Sequence, residues 1–296
     1  MMNDWHEQMI NKLQLNGMSE RTQHGYSRAV RQLVEFYAKT PDQISEDELE
    51  KYFLHKRNVN KWAQNTLKIA YVAIRFFYRN VLKKDWHLFK ILKPQTERKL
   101  PSVLTKEEVQ KIFFNVQTLH SYTYLVTVFS CGLRLQEALS LEISDIDKDR
   151  MMIHVHRGKG AKDRYIPLPE PTYQMLRRYW STHRNPRLLF PLLGHGHYLG
   201  YKSETPMSKA CVQGAFRQAF LKSGIAKKRV SIHTLRHSYA THLLENNVNI
   251  RAIQRYLGHA NLETTMFYLH LTNKNQESNL EVINNIMEGF DNGYHN

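Results

Sequence analysis

Cysteine is nearly absent from this 296-residue chain: Cys131 and Cys211 are the only two. They supply neither a disulfide framework nor a zinc-binding pattern, so a reducing cytoplasm is the default setting. Long apolar runs are missing as well. No stretch approaches the roughly 20 consecutive apolar residues of a membrane span. The first residues, Met1 to Lys12, hold no apolar run of the kind that marks a secretory signal. Nowhere does Gly-x-x-x-x-Gly-Lys-Ser/Thr occur, so nothing points to nucleotide hydrolysis. Neither an internal repeat nor a low-complexity tract is visible. Acidic residues are scarce beside basic ones, 27 against 42, leaving a formal net charge of +15. A basic excess of that size fits a polyanionic partner, although a merely basic enzyme has the same balance. A membrane surface fits less well, because no basic amphipathic helix with a broad apolar face is present.

What is present is enough chain for two domains and a sizeable core. Residues 1–92 read as four helices. Trp5, Met9, Ile10 and Leu13 form a first apolar face. Ser19 can cap a second helix carrying Tyr26, Val30, Leu33, Val34 and Tyr37. Ser45 to Glu48 spells a capping box ahead of Leu49, Tyr52 and Phe53. Asn65 or Thr66 opens a fourth helix with Leu67, Tyr71, Ile74 and Phe77. Basic residues lie between these apolar positions, Arg28, Arg31, Lys68 and Arg75 among them. They are candidate phosphate contacts, or simply a solvated helix face. Residues 93–104, polar and holding Pro94 and Pro101, read as a linker. A second capping box, Thr105 to Glu108, opens a further domain over 105–296.

In that second part a short helix is predicted after Gly132, with Arg134 in its first turn; read alone, Arg134 is a partner for Glu137. Met152, Ile153 and Val155 alternate with His154 and His156 as a strand, and Arg164 to Leu168 makes another. Between them the basic, glycine-rich run from Arg157 to Asp163 reads as a hairpin tip. Lys159, between two glycines, could reach beside a phosphate or be an ordinary exposed lysine. Glu170 to Arg184 reads as a helix. Residues 191–208 read as irregular, with His195 and His197 in a loop rather than on a metal. Lys209 to Gly224 and Glu281 to Met287 read as helices.

The densest polar constellation lies between Ser231 and His270. His233 and Arg236 stand one helical turn apart, so both can address one ligand, and a guanidinium suits a phosphate. Gly258 stops a short helix and His259 follows it. Tyr268 lies nine residues beyond His259 and could act as a nucleophile.

The ordered set His-x-x-Arg, Leu-Gly-His and Tyr resembles the C-terminal signature of the tyrosine recombinases, the phage integrase family. Gly-Leu-Arg-x-x-Glu-Ala at 132–138 resembles the family's first arginine box, and Gly-Lys-Gly-x-Lys-x-Arg at 158–164 its hairpin lysine. The resemblance implies a catalytic set of Arg134, Lys159, His233, Arg236, His259 and Tyr268. It implies a fold that is mainly α with a small antiparallel sheet in the C-terminal domain, behind a four-helix SAM-like DNA-binding domain. Lys162 and Arg164 join the N-terminal basic residues as expected DNA contacts. The implied partner is double-stranded DNA at a specific site, clamped by two domains. Four copies would act on it through a Holliday junction, from a protein that is monomeric or weakly associated when free. Neither metal nor cofactor is expected. Type IB topoisomerases share the nucleophile and the arginines, and a DNA-binding regulator without catalysis is a third reading.

Overall fold

The computed structural model describes residues 4–91, 101–156, 163–193, 197–227 and 229–271. The expected hairpin tip, most of the linker and the helix expected at Glu281 to Met287 lie outside them. The chain divides into two compact units, Met1–Lys99 and Leu100–Asn296.

The first unit is helical: α1 (Asp4–Leu15), α2 (Glu20–Tyr37), α3 (Glu46–Asn58), α4 (Gln64–Asn80) and a short α5 (Leu88–Ile91). Ser19 caps α2 by accepting the Thr22 N–H, and Ser45 and Glu48 close the capping box of α3. Helix α4 starts at Gln64 behind Ala63, without a side-chain cap, so Asn65 and Thr66 fall inside its first turn. Met9, Leu13, Leu33, Leu49, Ile74 and Phe77 are buried between the helices. Each such side chain contributes about 1.5–3 kcal/mol over leaving it exposed. Buried phenols find carbonyl partners: Tyr78 donates to Pro41 at 2.8 Å and Tyr71 to Phe89 at 2.7 Å.

The second unit begins with α6 (Lys106–Phe114), capped by the Thr105–Glu108 box, then α7 (Leu119–Ser130) and α8 (Leu135–Leu139). Strands β1 (Ile146–Asp147), β2 (Met152–Val155) and β3 (Arg164–Pro167) form an antiparallel sheet in that order. Helices α9 (Glu170–His183), α10 (His197–Lys202), α11 (Lys209–Lys222), α12 (Ile232–Glu245), α13 (Ile250–Leu257) and α14 (Leu262–Met266) follow, and a 3-10 segment, Phe267–Leu271, ends the described chain. The apolar α7 is central, packed on α6, α8, α9, α11 and α12. In the sheet Ile153 pairs with Ile166 and Val155 with Arg164, so all four point to the core side. No helix among the described residues is long and apolar enough to cross a membrane.

Helix α10 falls in the stretch that reads as irregular. Its hold is tertiary rather than periodic. The amide of buried Asn185 donates to the carbonyls of Gly200 at 2.7 Å and Ser203 at 2.9 Å, and its oxygen accepts from Arg187 and Leu188. His195 and the side chain of His197 lie outside the described residues.

Candidate active site

Two helix starts and two helix stops build the site. Gly132 takes φ +60°, and a Cβ there would lie 2.4 Å from the Tyr239 ring, so only glycine fits the turn into α8. Arg134 is the residue before α8, and its backbone N–H donates to Glu137 at 2.8 Å. Gly258, at φ +61°, ends α13 in the left-handed conformation and sets His259 just beyond it. A Cβ on Gly258 would press on the Arg164 side chain at 3.0 Å. The first turn of α12 carries His233, exposed, and Arg236, buried.

Glu137 is the electrostatic hub. One carboxylate oxygen accepts from Arg134 at 2.6 Å, and the other accepts from Arg164 at 2.7 Å. Arg236 Nη1 stands 3.8 Å from the same carboxylate. Burial would raise the Glu137 carboxyl, but the hydrogen bonds and charge of Arg164, with those from Arg134, outweigh it and bring it to about 2. One anion thus balances a buried cationic cluster and leaves net positive charge for a ligand. Arg236 donates to the carbonyls of Gly132, at 2.6 Å, and Leu257. Burial and the neighbouring Arg134 lower it to about 9, still protonated at neutral pH.

Three imidazoles and a phenol complete the arrangement. His259 contacts Arg236 at 3.3 Å through Nε2 and Thr265 at 2.9 Å through Nδ1. Tyr268 is only 3 % exposed and packs with Ala240, Leu244, Ile253 and Leu257. Its hydroxyl lies 3.0 Å from Nδ1 of His237, and its ring stacks on His259 with centroids 6.2 Å apart. Burial and the charge of Arg236 lower His237 to about 4 and His259 to about 3; His233 is lowered by the same causes. All three rings are neutral at pH 7. Burial raises the Tyr268 phenol, against a downward pull from Arg236 and Arg134. A protonated phenol therefore faces a neutral imidazole that, as the Nε2–H tautomer, accepts its proton.

The structure thus gathers Arg134, His233, Arg236, His259 and Tyr268 at one place, while Lys159 and Lys162 lie outside the described residues. Arg164 requires a correction. Expected as a DNA contact, it is buried, donates to Glu137 through both terminal nitrogens and to the Tyr256 carbonyl through Nε at 2.9 Å. Its fork is already engaged inside the protein. The strand alternation carried that signal, since Arg164 shares a face with Ile166. Arg28, Arg31 and Lys68 are exposed on α2 and α4, and Arg75 is half-buried with its guanidinium 5.3 Å from the Tyr71 ring centre. No motif in the sequence marks His237, whose contact with Tyr268 forms only in the fold.

Residues 102–275 match the phage integrase family, and residues 5–88 match the SAM-like N-terminal domain of phage integrases. Tyrosine recombinase XerA of Thermococcus onnurineus is 32 % identical over 277 residues, covering 92 % of each chain. An integrase/recombinase of Escherichia coli is 31 % identical over 301 residues, covering 90 % of this chain and 88 % of that one. In fold, the chain is similar to a lambda integrase dimer bound to a COC′ core site (TM-score 0.72, 16 % identity, 89 % and 93 % covered). It is also similar to XerH bound to a palindromic difH substrate (TM-score 0.67, 20 % identity, 88 % and 80 % covered). The helical fold with its three-stranded sheet and the basic, phenol-bearing site define a tyrosine recombinase. The chain belongs to the phage integrase family, whose members cleave and rejoin DNA.

Proposed function

We propose that this protein is a site-specific recombinase that cuts and reseals double-stranded DNA through Tyr268. The observation that carries the reading is the Tyr268 hydroxyl held against neutral His237 beside the Glu137-anchored arginines. The Tyr268 oxygen attacks the scissile phosphorus, and an O–P bond forms as the bond to the 5′ oxygen breaks. The phenol proton passes to His237, and Lys159 supplies the proton that the leaving 5′ oxygen takes. Arg134 and Arg236 offset charge building on the phosphoryl oxygens. His233 and His259 orient the phosphate. The product is a 3′-phosphotyrosyl link that keeps the energy of the phosphodiester. A 5′-hydroxyl from another strand reverses the step, so neither ATP nor a metal at the phosphate is needed. Cleavage in excess chelator should equal cleavage in magnesium, and a strict metal requirement with DNA binding unchanged would contradict this.

Strand exchange is proposed to involve four copies on two DNA sites, joined through a Holliday junction. Arg28, Arg31, Lys68, Arg75 and Lys162 are proposed to hold DNA backbone. The test is a plasmid carrying two copies of the cognate site. The recombinase reading expects deletion or inversion between the sites. Relaxation of a plasmid lacking the site would indicate a type IB topoisomerase, and binding without a covalent adduct would indicate a regulator.

A further inference from the structure

Outside the active site, a second polar cluster sits at the base of the β2–β3 hairpin. Alternation along β2 puts His154 on the side of the strand opposite Ile153 and Val155, and His156 follows two residues on. The two imidazole centroids are 3.9 Å apart. Nε2 of His156 lies 2.7 Å from Oδ1 of buried Asp145. The Asp163 carboxylate lies 3.5 Å from Nε2 of His154 and 3.7 Å from Nδ1 of His156. These last two separations are long for hydrogen bonds. An imidazole binds an ion through one nitrogen, so Asp145 at Nε2 of His156 and Asp163 at Nδ1 face different edges of that ring. Ligating atoms of Asp145, His154 and His156 all lie within 4.8 Å of one another, so modest side-chain rotations bring them onto one ion.

We propose that Asp145, His154 and His156 bind a divalent transition-metal ion of the zinc class, with solvent completing its coordination. Two imidazoles and a carboxylate are a donor set such ions take, whereas magnesium and calcium prefer oxygen alone. Outer contacts already orient the donors. The second oxygen of Asp145 accepts the Glu142 N–H at 2.8 Å, and His154 stacks on Tyr165 at 4.5 Å and 9°. A hydrogen-bonded His–Asp pair accounts for the Asp145–His156 contact alone. It does not account for the second imidazole, whose centroid lies 3.9 Å from that of His156. Cys211 and His120, 3.9 Å apart, offer two donors only.

The test uses full-length, tag-free protein without DNA. Titrate it with cobalt(II), following visible d–d absorption, and measure zinc(II) uptake by equilibrium dialysis. One tight equivalent with the intense bands of a tetrahedral ion is expected. His156→Ala, at an exposed position, should weaken binding by at least about tenfold, the loss expected even for a group next to a ligand. His154→Ala should do the same, and Cys211→Ser should change nothing. Absence of a tight equivalent, or one indifferent to both histidines, would overturn the site.

Discussion

The Tyr268 hydroxyl rests 3.0 Å from Nδ1 of His237, one residue past the guanidinium of Arg236 on the same helix. That contact couples the phenol to the cationic cluster through a single element, α12. Burial lowers His237, together with the Arg236 charge that would bind the phosphate. The imidazole is thereby kept neutral and able to accept a proton at neutral pH. Replacing His237 separates proton transfer from positioning. His237→Asn can still hydrogen-bond the phenol but cannot take its proton. Both His237→Ala and His237→Asn should slow single-turnover cleavage by about a hundredfold or more with DNA binding unchanged. Full activity in His237→Asn would leave His237 a positioning residue only.

Glu137 faces three arginines from a largely buried position, and truncating it leaves charge uncompensated. Glu137→Ala should lower unfolding free energy by about 3–5 kcal/mol in urea titrations. A change below about 1 kcal/mol would mean that the arginines are solvated in the folded state and the hub is not one.

Acid should loosen the same region. Unfolded histidines protonate near pH 6.5, whereas His237 and His259 stay neutral in the fold down to about 4 and about 3. Below pH 6.5 the unfolded chain therefore binds more protons, and stability falls as pH falls through that window. Between pH 7 and 5 most carboxylates remain ionised, so the slope there reports histidines. The urea midpoint should drop over that range, and less steeply in His237→Gln/His259→Gln. Equal slopes would contradict the neutral-imidazole account.

Much of this molecule was legible in the chain. Ser19, Ser45 and Thr105 marked three helix starts, and Gly258 marked a stop. These signals are local: a side chain satisfies a backbone donor a few residues away, or a glycine takes a conformation other residues avoid. The ordered motif located Arg134, Arg236, His259 and Tyr268 before their contacts were known. What escaped was set by tertiary structure. Helix α10 is held by the Asn185 amide, a contact that sequence spacing does not encode. Arg164 looked like a surface cation in a basic run, but strand alternation turned it inward to Glu137. His237 carries no signal in the sequence, because only the fold brings Tyr268 back across α12.

The N-terminal cations behave differently from Arg164 if they touch DNA. Arg28→Ala and Arg31→Ala should each weaken binding and reduce the salt slope by roughly one unit, with cleavage of bound DNA intact. Arg164→Ala should leave the slope alone and lower stability. Binding isotherms across a salt series, for all three variants, check this; an unchanged slope for Arg28→Ala and Arg31→Ala would assign both to the solvated face.

In the proposed reaction Tyr268 becomes joined to DNA. Select the binding site from random duplexes with a Tyr268→Phe protein, then build that site with a nick placed so that cleavage releases a short fragment and traps the intermediate. Incubate it with wild type and with Tyr268→Phe, and separate the products on a denaturing gel. Wild type should give a protein–DNA band that survives denaturation, with Tyr268 in the cross-linked peptide by mass spectrometry, and Tyr268→Phe should give none. A covalent band that persists in Tyr268→Phe, carried by Tyr256 or Tyr239, would contradict the assignment.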